Sequence, residues 1–232
     1  MGPRIKLKGI YDQRTLDLGR DAGIGLFGVD FRPLSVNFLQ NHIFREMLAS
    51  WGEDKIFFHL HFGPEKDYVV ESLIQAAVDV WGSKKALSCL GIELESFGQE
   101  SILEKFQVPA WVHLSDFSPA NFPHHDRLEG LIIDHKSLEK QYVHQQWRGL
   151  ENFAKDLQKE YGVRPQIEVA CNWESLSLSA LQEILNPDIL SVSVSGPVEL
   201  NYRNVDLIRL HKYIGLFKTQ WGLQTPSHVI QN

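Results

Sequence analysis

Three stretches of this chain repeat one arrangement, in which two identical titratable side chains flank a single leucine. They are Lys6 and Lys8 in RIKLKG, His59 and His61 in KIFFHLHF, and Glu93 and Glu95 in LSCLGIELE. His113 in VPAWVHL and Asp134 in EGLIIDH add an imidazole and a carboxyl, and Ser191, Ser193 and Ser195 add hydroxyls at the same spacing. A carboxyl can move a proton to or from a reacting atom. A charged lysine can stabilise a developing anion, and a neutral one can attack a carbonyl to form a Schiff base. Imidazoles grouped with a carboxylate can ligate a divalent metal.

A spacing of two is the period of a β-strand, whose side chains point alternately to opposite faces. Eight strand-like runs occur, at 4–9, 25–31, 55–62, 87–95, 108–114, 129–135, 166–171 and 188–194. Helix-like stretches fall between and after them at about 12–22, 37–50, 66–81, 99–106, 119–124, 137–161, 176–185 and 203–219. In the third, Val69, Val70, Leu73, Ile74, Ala77 and Val80 form an apolar stripe at helical period. Eight strand–helix units in slightly under 250 residues predict an α/β fold, a single (β/α)8 TIM barrel spanning residues 1–232. The alternative, an open doubly wound sheet, usually carries a glycine-rich first turn that is missing here.

In such a barrel the strand face packed on the helices must be apolar, and this sets which residues point inward. Ile5 and Leu7 face out, so Lys6 and Lys8 face in; the same logic turns His59, His61, Glu93, Glu95, Trp111, His113 and the three serines inward. In the sixth strand either Asp134 or His135 faces in, and in the seventh either Glu168 or Cys171. Lys6, one step deeper, reads as a structural ion pair with Glu93, because an isolated buried ammonium costs several kcal/mol. His59 reads as a packed interior histidine. Lys8, His61, Glu95 and His113 lie toward the C-terminal strand ends, where barrel enzymes build their sites.

Composition narrows the partners. The chain is 43% hydrophobic and 22% charged with net charge −6, so it is globular and lacks the basic footprint of a nucleic-acid or anionic-membrane binder. No apolar run approaches the roughly 18 residues of a spanning helix. Cys89 and Cys171 have no metal-type spacing, which suits a reducing, cytoplasmic setting. No cofactor is expected. The expected partner is a small-molecule substrate or ligand, and the expected state a monomer or homodimer.

The chain resembles phosphoribosylanthranilate isomerase, a tryptophan-biosynthesis barrel. The family's opening K-x-C-G matches Lys6, Leu7, Lys8 and Gly9, and its second-strand G-F-x-F-x-P-x-S-P-R matches GVDFRPLSVN through Phe31, Pro33 and Ser35. Its fourth-strand Q-L-H-G falls on Glu93, Leu94, Glu95 and Ser96, its L-L-L-D on a run ending in Asp134, and its S-S-G-V-E on Ser195, Gly196, Val198 and Glu199. The resemblance implies a phosphosugar substrate, Asp134 as general acid, and Lys8 at the place of the cysteine base. It also implies substrate contacts from Asn37 (an arginine in the family), Asn172 (within a lost glycine pair), Ser193, Ser195 and Gly196, with His61, Glu95 and His113 lining the mouth. The glycine-rich loop after the family's sixth strand is replaced by HQQW, 144–147. A lysine base must shed its proton, a downward shift of about three units that burial favours and Glu93 and Glu95 oppose. The charged form therefore best fits Lys8.

Three functions are compatible with these residues. The first is an isomerase-like enzyme acting on a phosphorylated sugar or small carbonyl compound. The second is a non-catalytic barrel, with Phe117, Phe122, Trp147 and Trp173 as a binding rim. The third is a metal-dependent sugar-phosphate epimerase or lyase, since HLHFGPEKDYVVESL also resembles ribulose-phosphate epimerase and points to His59 as a ligand. That family's second-strand H-x-D is absent, with Gly28 at the histidine place, and no metal is expected at the site; His61, Glu95 and His113 are the residues that could otherwise hold one.

Overall fold

A computed structural model describes residues 2–51, 56–95, 105, 107–114, 127–143, 152, 155–156, 159, 165–173 and 186–223. The expected helices at 99–106, 119–124 and 176–185 lie almost wholly outside these residues, as do HQQW, Phe117, Phe122 and Trp147.

Eight parallel strands close into a barrel in chain order. They are β1 (Arg4–Lys8), β2 (Leu26–Asp30), β3 (Phe57–Phe62), β4 (Leu90–Leu94), β5 (Ala110–Leu114), β6 (Leu128–Asp134), β7 (Gln166–Cys171) and β8 (Ile189–Ser193). Closure is made by β1 against β8, with Lys6 opposite Ser191 and Lys8 opposite Ser193. Around the outside run α1 (Gln13–Asp21), α2 (Asn41–Ala49), α3 (Asp67–Trp81), α4 (Ser83–Cys89), α5 (His135–Val143) and α6 (Leu207–Gln220). Local chemistry sets several ends. The Asp12 side chain accepts from the Thr15 amide to start α1, and Asp206 accepts from Ile208 and Arg209 to start α6. Gly82, at φ 78°, breaks α3 from α4 in a conformation that a side chain would strain.

The apolar layer lies between strands and helices, where Leu7, Phe27, Phe58, Leu60, Ile92, Val112, Ile133, Val169 and Val192 are all buried. The inward parity predicted for β1, β3, β4, β5 and β8 holds. In β6 it is Asp134 that reaches the pocket; His135 instead begins α5 and is buried. In β7 it is Glu168 that is fully buried with the interior charges, while the Cys171 thiol donates to Val169 O at 3.4 Å and its side chain packs on the apolar layer.

Four expectations are corrected. Residues 87–89 belong to α4 rather than to the fourth strand. The second helix starts at Asn41 because 32–40 is a loop tied to Asp30, whose carbonyl accepts from Leu39 N at 2.7 Å. Val80 is exposed at the stripe's edge, and Ala76 is buried in its place. A 3-10 turn, Gly196–Val198, and a two-stranded hairpin, β9 (Glu199–Asn201) with β10 (Asn204–Val205), precede α6.

The barrel's middle is filled by Lys6, His59, Glu93, Trp111 and Glu168. Trp111 lies where any side chain at Gly91 of β4 or Gly130 of β6 would stand, and its ring packs at a tilt of 31° on His59 with centroids 4.0 Å apart. Two hollows remain. One, of about 360 Å3, opens at the strand starts beside Arg4, Ile5, Leu26 and Phe57. The other, of about 600 Å3, opens at the C-terminal mouth.

Candidate active site

The mouth pocket gathers side chains from every strand except β7, which offers only Ala170. Lys8 from β1, Asp30 from β2, His61 from β3, Glu93 from β4, His113 from β5, Asp134 from β6 and Ser193 from β8 all line it. Gly9, at φ 73°, ends β1 in a turn against which the Asn37 side chain packs. Lys8, Asn37, His61, Glu95, His113, Asp134, Ser193 and Ser195 therefore share one cavity.

Asn172 and Gly196 do not line it. Asn172 is exposed past the end of β7, and Gly196 is exposed in the 3-10 turn. The Gly196 amide donates to Glu199 Oε2 at 3.2 Å, so a carboxylate of this chain occupies that amide.

Beneath the pocket lies a buried ion cluster. Lys6 Nζ donates to Glu93 Oε1, to Glu168 Oε2 at 2.6 Å, and lies 3.0 Å from His59 Nδ1. Burial alone would lower the Lys6 pKa, but Glu168 and Glu93 outweigh it and raise the pKa above the ordinary value. Burial would raise Glu93, but Lys6 and then Lys8 hold its carboxyl well below the usual range. His59 is driven down by burial and by Lys6, which keeps it neutral. The metal that an epimerase would hold does not fit at this histidine, because the Lys6 ammonium already sits on its Nδ1 and Gly28 supplies no second ligand.

Above Lys6 the other Glu93 oxygen, Oε2, points into the pocket. His113 Nε2 lies 3.5 Å from it, His61 Nδ1 3.9 Å and Lys8 Nζ 3.9 Å. The His61 and His113 rings stack with centroids 4.7 Å apart. Burial pushes His61 down to about 3, so it is neutral at pH 7.

One part of the site escaped the sequence reading. Arg32 donates to Asp30 through Nε (2.9 Å) and Nη2 (2.6 Å), and through Nη1 to Glu95. Ser35 Oγ adds a bond to Asp30 Oδ2 at 2.7 Å. The fork geometry of arginine suits this bidentate pairing. It holds the rim between β2 and β4 and turns Glu95 toward Arg32. The signal was present in DFRPLS, where the charges and hydroxyl follow an inward position of β2.

The neutral state of His61 sets a pH dependence. Its folded pKa lies below the ordinary 6.5, so the unfolded chain binds the extra proton as pH falls. Stability from this group is complete above about pH 6.5 and is lost progressively toward its folded value. From His61 alone the urea unfolding free energy should be lower by about 2 kcal/mol at pH 5 than at pH 7, and His59, also held below its ordinary value, adds to the drop. Glu93 and Glu168, held below 4.5 by Lys6, add a further loss only at more acid pH. In His61→Gln the drop from pH 7 to pH 5 should shrink markedly; an unchanged slope would mean that the imidazole titrates freely.

No protein-family model and no curated protein matches this sequence. Solved structures do match over nearly the whole chain. Phosphoribosylanthranilate isomerase from Thermus thermophilus is 16% identical, with TM-score 0.65, covering 93% of this chain and 98% of its own. The same enzyme from Thermotoga maritima is 14% identical, with TM-score 0.66, covering 95% and 100%. A further phosphoribosylanthranilate isomerase, solved with reduced 1-(o-carboxyphenylamino)-1-deoxyribulose 5-phosphate, is 14% identical, with TM-score 0.63, covering 95% and 100%. These likenesses show the fold: this chain is a (β/α)8 barrel similar in structure to phosphoribosylanthranilate isomerase.

Proposed function

We propose that the chain is an acid–base enzyme that isomerises a small polyhydroxy carbonyl compound at the C-terminal mouth. The observation that carries this reading is the shared cavity of Lys8 and Asp134, an ammonium and a carboxylate around a space that fits a sugar-sized molecule. Asp134 Oδ1 accepts the Lys136 amide at 2.7 Å, which orients the carboxyl at the start of α5 and leaves Oδ2 for substrate. Asp134 takes the proton from the carbon beside the carbonyl and delivers it to the former carbonyl carbon, while the hydroxyl proton of the first carbon passes through neutral His61 to the former carbonyl oxygen. The Lys8 ammonium stabilises the oxygen that turns negative between those steps. Neutral His61 offers a hydrogen bond without competing for the carbon-bound proton.

The phosphorylated ligand bound in the solved neighbour is a less close fit here. Among the described residues the pocket carries four carboxylates, Asp30, Glu93, Glu95 and Asp134, against two cations, Lys8 and Arg32. That balance disfavours a dianion. The Gly196 amide is already taken by Glu199. A neutral sugar-like carbonyl compound is therefore the substrate class proposed.

The test is proton exchange. The purified chain is incubated in D2O with aldoses, ketoses and their phosphate esters, and deuterium uptake beside the carbonyl is followed by NMR. Uptake with the uncharged compounds is expected. No uptake with any of them at high protein concentration would sink the reading. Rescue of a tryptophan auxotroph would instead move the substrate to phosphoribosylanthranilate.

A further inference from the structure

We propose that His61, Glu93 and His113 form a binding site for one divalent transition-metal ion of the zinc and manganese class, contested by the Lys8 ammonium. Each of the three offers a donor atom within 4.8 Å of the other two. Glu93 is fully buried, yet its Oε2 has no hydrogen-bond partner among the described residues; the same holds for Nε2 of both His61 and His113. Leaving such atoms unsatisfied in a buried wall is costly, and one cation would satisfy Glu93 Oε2 and His113 Nε2 together, with His61 Nδ1 as its third donor.

The distances suit an ion. Three donors bound tetrahedrally at about 2.1 Å stand about 3.4 Å apart. Glu93 Oε2 already lies 3.5 Å from His113 Nε2 and 3.9 Å from His61 Nδ1. The second Glu93 oxygen is fixed by Lys6, which orients the carboxylate as outer partners of metal ligands do. The open side faces the mouth pocket, where water or a substrate oxygen could complete the coordination. Two neighbouring arrangements are excluded. Glu95 is bound by Arg32, and the deeper group of His59, Glu93 and Glu168 already surrounds the Lys6 ammonium.

Lys8 is the competitor. Its ammonium lies 3.9 Å from the same Glu93 oxygen, beyond hydrogen-bond distance, and its side chain is one-fifth exposed at the mouth. An incoming dication would push it outward, and removing its charge would strengthen the site. The inference stands apart from the proton-transfer reading, because metal uptake is measured without substrate.

The experiment uses the full chain stripped with a chelator. Zn2+ is titrated by calorimetry, and Co2+ is followed through the visible ligand-field bands that histidine ligation produces. The expected result is saturable binding at one ion per chain, about tenfold tighter or more in Lys8→Met. His113→Ala, at a partly exposed position, and His61→Ala should each weaken it by more than the roughly 100-fold that outer-partner changes cost. Circular dichroism of both variants confirms that they remain folded. No saturable uptake by native protein or by Lys8→Met overturns the proposal. So does binding that survives both histidine substitutions, or binding that Lys8→Met leaves unchanged.

Discussion

Lys6→Met should destabilise the fold by about 3–5 kcal/mol, the cost of leaving a buried charge without its partner. Lys6, Glu93 and Glu168 all have fully buried side chains, and the ammonium bonds both carboxylates. Remove it, and two carboxylates face one another with no buried cation between them, only the histidines and Lys8 around Glu93. One must then take up a proton or draw in water. Against a total stability of roughly 5–15 kcal/mol, that loss is severe. The urea midpoint should fall with little change in slope. A combined Lys6→Met, Glu93→Gln and Glu168→Gln variant should recover much of it, since replacing a whole buried ion group is often near neutral. If the triple variant were no better than the single, lost packing of the lysine stem, rather than stranded charge, would be the cause.

Asp134→Asn should lower deuterium exchange into substrate by about 10²–10⁴-fold, the range for removing a positioned proton-transfer group. The amide keeps the shape, and its oxygen can still accept the Lys136 amide that orients the side chain. Folding stability should therefore change little. Lys8→Met should cost about 10²–10³-fold, as losing one group that stabilises a developing oxyanion does. The two variants separate the roles. Asp134→Asn should stop exchange while substrate binding survives, whereas Lys8→Met should slow exchange and raise the pocket's affinity for cations. Equal exchange in native protein and Asp134→Asn would remove Asp134 from the chemistry.

Much of this architecture was legible before coordinates. Alternation in RIKLKG, KIFFHLHF and VPAWVHL could be read because one face had to meet helices, and that single constraint turned Lys6, His59 and Trp111 inward. It was silent for β6, where Leu131, Ile132 and Ile133 make both faces apolar and leave no parity to read. Lys6 pairs with Glu93 as the alternation suggested, but its second partner, Glu168, is 162 residues away and became identifiable only once β1 and β7 shared an interior. The Asp30–Arg32–Glu95 bridge was missed because it depends on the loop after β2 folding back, which spacing does not encode. Gly91 and Gly130 looked like ordinary strand glycines. Only the indole between them explains their small size.

That indole has a consequence for traffic. With Trp111 laid over β4 and β6, and the lysine–glutamate group beside it, the cylinder is corked halfway along. Among the described residues this layer lies between the hollow at the far end and the mouth. Among the described residues, then, a molecule that enters past Lys8 meets a filled interior and turns back toward the mouth.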